Sequence, residues 1–207
     1  MLKALLMVDI QNDFLAGGAL EVQNSDAIVG LANAMQDCFD CVIATQDWHP
    51  SDHASFAENH AKSPGQVIEL DGLEQILWPV HCVQNTYGAA FSKNLKNDRI
   101  EKIFYKGTDS RVDSYSSFFD NARKKSTGLD DWLRQRGVEE LFVCGLATDY
   151  CVKYSVLDAL SLGWKVSVIE DACQAVNLEK SDGMRAIKEM QSKGATILKS
   201  SSLLVYA

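Results

Sequence analysis

No segment of this 207-residue chain reaches the ~18 apolar residues needed to cross a bilayer, so a membrane-spanning role is not expected. The opening run Leu2–Val8 begins like an export signal, but Asp9 breaks it and no small-residue cleavage site follows. The expected location is therefore the cytoplasm. No segment concentrates Lys and Arg on one face, and the net charge of −8 has the wrong sign for a phosphate-backbone partner, so nucleic acid is not expected. No Gly-x-Gly-x-x-Gly follows the first apolar run, which argues against a dinucleotide-binding enzyme. There is no phosphate-binding P-loop and no Gly-x-Ser-x-Gly nucleophile elbow, and the Gly17-Gly18 pair reads only as a turn. Internal repeats, low-complexity segments and linkers are also missing, so one domain over residues 1–207 is the economical reading.

What remains is an ordinary globular composition, 46% hydrophobic and 23% charged. A domain of this size buries roughly 70% of its unfolded surface and needs no covalent staples. Its six cysteines are accordingly expected as free thiols in a reducing compartment.

Short, continuous apolar runs recur at Ala4–Val8, Cys41–Thr45, Ile100–Tyr105, Leu141–Cys144, Lys165–Ile169 and, more weakly, Ala195–Leu198. Continuous rather than alternating hydrophobicity predicts strands covered on both faces. Amphipathic stretches at Ser25–Cys38, Gly128–Arg136, Thr148–Leu162 and Lys180–Lys193 predict helices, the last three followed by Gly137, Gly163 and Gly194 as C-terminal caps. Strand alternating with helix gives a right-handed parallel α/β sheet. The connection from about 46 to 99 is anomalously long, and it holds all four histidines.

Ligands of open parallel sheets bind beyond the carboxyl ends of the strands. The residues expected there are Asp9, Asp47 with His49, Lys106, and the segment from Gly145 to Cys151. Cys151 falls about one turn into a helix for which Thr148 is the expected N-cap. A thiolate is favoured at that end, and the free N–H groups suit an oxyanion. Most cysteines merely fill a core, as Cys144 and Cys173 are expected to, and the Cys38/Cys41 pair is read as packing too. With Cys151 as nucleophile, Asp9 would carry the proton, and Lys106 would depress the pKa of both neighbours.

A second constellation combines Asp47 and His49, side by side on extended chain, with His81. Two imidazoles and a carboxylate leave open coordination positions and suit a divalent ion such as zinc, iron or manganese, among which the donor set does not choose.

The strings LLMVDIQNDFLAGGAL, TQDWHPSDHASF, LWPVHCVQNTYGAAF, YKGTDSRVDSYSSF and FVCGLATDYCVKYSVLDAL resemble, in order, the successive signatures of nicotinamidases, within the isochorismatase-like hydrolase superfamily. The resemblance spans residues 4 to about 173. It implies a three-layer α/β/α fold with a six-stranded, mainly parallel sheet of order 3-2-1-4-5-6. It also implies the metal-dependent hydrolysis of nicotinamide, with pyrazinamide accepted, in NAD salvage. Residue by residue, Asp9 matches the general base, Lys106 the catalytic lysine, Cys151 the nucleophile, and Asp47, His49 and His81 the metal ligands. His53 matches an additional ligand or water contact of some relatives. The Leu146–Ala147 bond matches a non-proline cis peptide, with the amides of Ala147 and Cys151 as oxyanion hole. Phe14, Trp78 and Tyr115 match pocket positions around a flat ring, and family habit implies a homo-oligomer. The rivals are another amidohydrolase of the superfamily, an isochorismatase proper (which would need neither Cys151 nor the metal set), and a non-catalytic protein that kept the fold.

Overall fold

The first apolar run becomes the middle of the sheet. In the computed structural model, which describes residues 2–204, it forms strand β1 (Leu2–Val8), and Ala4 to Val8 are fully buried. A strand with no polar face needs cover on both sides, and helices supply it. After β1 come α1 (Asp26–Met35), β2 (Cys41–Asp47), the hairpin β3 (Val67–Leu70) and β4 (Leu73–Ile76), β5 (Ile100–Lys106), α2 (Leu129–Arg136), β6 (Val138–Leu146), α3 (Lys153–Ser161), β7 (Lys165–Gln174), α4 (Asp182–Ser192), β8 (Thr196–Leu198) and α5 (Ser201–Leu204).

The main sheet runs β5-β2-β1-β6-β7-β8 with every adjacent pair parallel, which is the order 3-2-1-4-5-6 among its own six strands. Helices flank it, with α1 against β6 and β7, α2 against β6, and α3 against β7, giving the three-layer α/β/α architecture. The strand order reverses between β1 and β6, and the carboxyl ends of those two strands carry Asp9 and the Cys151 segment. That switch point is where a crevice forms in such sheets. The close approach there needs Gly145, which pairs with Val8 at φ +124°. A Cβ at that position would run into the Val8 backbone, so any other residue would push β6 away.

Two expectations are corrected. Thr148 is not an N-cap. The chain arrives extended at Ala147, which takes the cap position, and Thr148 makes no capping bond but opens a π-helical turn, Thr148–Val152, leading into α3. The long connection contains the β3–β4 hairpin, turned at Asp71-Gly72 with both residues at positive φ. β6 and β7 extend well beyond the apolar runs that announced them. The caps at Gly137, Gly163 and Gly194 all have the positive φ that suits glycine.

Candidate active site

Sheet register alone brings two of the charged residues together. Asp47 and Lys106 are the last residues of neighbouring parallel strands and are direct register partners. Lys106 is fully buried, and its amine pairs with Asp47 Oδ1. The same Nζ lies 2.8 Å from Asp9 Oδ2, 3.1 Å from the Ser114 carbonyl and 3.3 Å from Cys151 Sγ. Asp9 is completely buried just past β1, in a left-handed conformation at φ +50°. Thr45 donates to its Oδ1 at 2.6 Å. Its Oδ2 faces the lysine without an aligned hydrogen bond, and so keeps accepting capacity. Carboxylate oxygens of Asp9 and Asp47 and the Cys151 sulfur all lie within 4.8 Å of one another.

Burial and charge set the protonation of this cluster. Burial raises the Asp9 carboxyl most, Lys106 pulls it back, and the balance leaves it at about 6. Asp47 is also pushed up by burial, but Lys106 and His49 outweigh this and hold it below the usual carboxylate range. Burial works against the charged Lys106 amine, yet Asp47 and Asp9 together raise it well above its ordinary value. Burial lifts the Cys151 thiol well above its ordinary value, and the amine offsets this only in part. Lys106 thus lowers both neighbours as expected, but desolvation exceeds its attraction at Asp9 and at Cys151, so both stand above their ordinary values.

On the other side of Asp47 its second oxygen, Oδ2, faces two imidazoles. His49 Nε2 is 3.7 Å away and His81 Nε2 4.0 Å, spacings that two bonds of about 2.0–2.2 Å to a shared ion can span. Each ring is oriented from behind, His49 Nδ1 donating to the Gly107 carbonyl at 2.9 Å and His81 Nδ1 to that of Pro79 at 2.8 Å. Both Nε2 lone pairs are therefore free to ligate. Gly107 sits at φ +63°, and a Cβ there would strike the His49 ring. Burial and the neighbouring His49 hold His81 and His53 at about 4, neutral as ligands must be at pH 7. His53 packs its ring 4.2 Å from that of His49. Its Nδ1 is engaged by Ser55 at 2.7 Å, while its buried Nε2 makes no hydrogen bond of good geometry among the described residues. Because Nδ1 also accepts the Ser55 backbone N–H at 3.2 Å, the neutral ring carries its proton on Nε2, which suits donation to an ion-bound water beside the two-His, one-Asp set.

The cleft in front of the sulfur is walled by Phe14, Trp78, Tyr115 and Tyr150, with Asp47, His81, Ala147 and Cys151 at its base. The Leu146–Ala147 bond is cis. Every residue singled out from the sequence thus falls in one place. The sequence reading missed Tyr150, whose ring stands edge-on to Trp78 at 4.9 Å, and Asp113, a buried carboxylate lining the cleft within 4.8 Å of donor atoms of His49 and His53. It also missed Gln11, whose side-chain amide donates to the carbonyls of Asp47 and Ala89 and accepts the Asp47 N–H, each at 2.8 Å. Asp113 and Gln11 both stand inside the quoted motif strings, and polar residues in such strings were the available signal.

A model described as the isochorismatase domain matches residues 3–202. The chain belongs to the isochorismatase family. Within that family it groups with the nicotinamidases: the nicotinamidase of Escherichia coli K12 is 52% identical, over 94% of this chain and 93% of its own length. Among solved structures, that of the Acinetobacter baumanii nicotinamidase and pyrazinamidase superposes with a TM-score of 0.94 at 42% identity, covering 98% of both chains. The Pyrococcus horikoshii pyrazinamidase in complex with zinc gives 0.78 at 36% identity, covering 95% of this chain and 98% of its own.

Proposed function

We propose that this protein is an amidohydrolase that converts nicotinamide to nicotinate and ammonia, accepts pyrazinamide as well, and serves NAD salvage in the cytoplasm as a single domain. The carrying observation is one buried amine touching both a carboxylate and a thiol, Lys106 Nζ at 2.8 Å from Asp9 and 3.3 Å from Cys151 Sγ. The kinship with nicotinamidases supports the substrate.

In this reading Asp9 takes the thiol proton as the sulfur of Cys151 attacks the carboxamide carbon. A thiol held up by burial ionises only as it reacts, with Lys106 stabilising the developing thiolate. The amides of Ala147 and Cys151 hold the oxyanion. Collapse breaks the C–N bond, Asp9 returns its proton to the leaving nitrogen, and ammonia departs, leaving a thioester on Cys151. Asp9 then takes a proton from water as it attacks that thioester, and the sulfur leaves with the proton restored. A carboxyl at about 6 is well matched to both giving and taking protons near neutrality. Asp47, His49 and His81 would hold a divalent ion, which we assign as zinc, with His53 as a contact to an ion-bound water. Bound there, it supplies a Lewis-acid anchor for the ring nitrogen and a site for ordered water. The aromatic wall sandwiches the flat ring and keeps bulk water out. Ammonia release from nicotinamide by the purified protein, with elemental analysis of the same sample, tests this reading. Absence of ammonia from a zinc-loaded, folded sample would remove it.

A further inference from the structure

The turn that carries Cys151 skips one backbone amide at the carbonyl where a helix would bind it. The Ala147 carbonyl accepts the N–H groups of Tyr150 and Val152, both at 3.1 Å, and not that of Cys151 between them. In an α-helix that carbonyl would take the N–H four residues on, which here is Cys151. The π-helical spacing of Thr148–Val152 therefore withholds Ala147 from the very amide that the oxyanion needs. What holds the turn in this form comes from outside it. Asp149, at its centre and only 4% exposed, sends both carboxylate oxygens across to the loop after β7. Oδ1 accepts the Val176 N–H at 2.9 Å, and Oδ2 accepts the Asn177 N–H at 2.8 Å. A buried carboxylate tied by two backbone donors makes strong, charge-assisted bonds in one geometry only. The receiving loop is itself fixed. Asn177 lies at φ +53°, and its side-chain oxygen accepts the Gly183 N–H at 2.9 Å in the first turn of α4, where a Cβ on Gly183 would strike Ala175. Asp149 does not line the cleft, so any effect it has on the reaction runs through the turn.

We propose that Asp149 is a positioning residue for the oxyanion. By tying the π-helical turn to Val176 and Asn177, it stops the turn relaxing to α-helical spacing, in which the Ala147 carbonyl would take the Cys151 N–H. Asp149 stands two residues from each of the two oxyanion amides, so one anchor fixes both. This rests on the amidohydrolase reading, and the two are separable because wild-type turnover tests that reading alone.

The experiment compares wild type with Asp149→Asn and Asp149→Ala, with thermal melts as a check on folding. Each protein is assayed for nicotinamide turnover and for inhibition by two probes, pyridine-3-carbaldehyde and 3-methylpyridine. The Cys151 thiol can add across the aldehyde to give a hemithioacetal, whose oxygen lies where the oxyanion forms. The methylpyridine offers the ring without an oxygen and reads ground-state binding alone. Asparagine keeps the shape and one acceptor but turns its NH2 towards one of the two N–H donors, whereas alanine removes both bonds. Misplacing an oxyanion donor is expected to lower kcat about 10- to 100-fold in Asp149→Asn. In Asp149→Ala the expected loss is about 100- to 1,000-fold, the range for deleting such a donor, with KM nearly unchanged in both. The inhibition constant of the aldehyde should rise with the loss in kcat, and that of 3-methylpyridine should stay at the wild-type value. If alanine prevents folding, the asparagine variant alone decides. Wild-type kcat and aldehyde affinity in folded Asp149→Asn would overturn the proposal. Equal weakening of both probes would overturn it too, because that marks a general loosening of the cleft.

Discussion

Asp9 and Lys106 form an ion pair of 2.8 Å in which neither side chain has any exposure to solvent. Because Asp47 shares the same amine, the lysine neutralises two carboxylates that would otherwise face each other without water. Replacing it with Met leaves them uncompensated, at an expected cost of about 3–5 kcal/mol. In a protein of this size that lowers the Tm by roughly 6–20 °C. Asp9→Asn removes one of the two negative charges and keeps the Lys106–Asp47 pair, so it should be far milder on stability while abolishing turnover. Melting curves and ammonia assays of the two variants check this, and equal stability loss would argue against the shared-amine picture.

Activity should have an acid limb set by Asp9. The carboxylate is the form that accepts the thiol proton, and its pKa sits at about 6. kcat/KM is therefore expected to fall about tenfold per pH unit below that value. Stability should respond in the opposite sense. With a folded pKa raised above the ordinary 3.8, the contribution of Asp9 is fully present below that ordinary value and is lost as pH rises through about 6. Relative to Asp9→Asn, the wild type should thus lose stability between those two values. Proton-linked melting curves of the pair measure it, and a flat difference across that range would contradict the assignment.

Metal retention should depend on a residue that cannot ligate. Gly107 offers its carbonyl to His49 Nδ1, and its positive φ leaves no room for a Cβ beside that ring. Gly107→Ala is expected to displace the imidazole and weaken metal affinity by about 10–100-fold, the usual effect of disturbing a ligand's support. Competition titration with a chelator, together with elemental analysis, reads this directly. Unaltered retention would place the ion elsewhere.

The sheet and the converging charged residues were legible because strand ends are visible in sequence, whereas the strand order came only with the family resemblance. Continuous apolar runs mark buried strands, and in a parallel sheet the residues just after them must meet at one edge. Asp9, Asp47, Lys106 and Cys151 were found in that way. The hairpin was less legible because its strands are short and half-exposed, although the Asp71-Gly72 pair was a turn signal. Protonation was misjudged because it depends on burial. A lysine 3.3 Å from a thiol suggests a thiolate, whereas the burial of Cys151 reverses the balance. The supporting side chains of Gln11 and Asp149 act through three-dimensional contacts that no spacing rule announces.

Peptide mass spectrometry of acid-quenched enzyme during nicotinamide turnover tests the nucleophile most directly. The account predicts one nicotinoyl group on the peptide bearing Cys151, and neither adduct nor ammonia from a folded Cys151→Ala variant. Ammonia released by Cys151→Ala at the wild-type rate, or an adduct on a different residue, would contradict it.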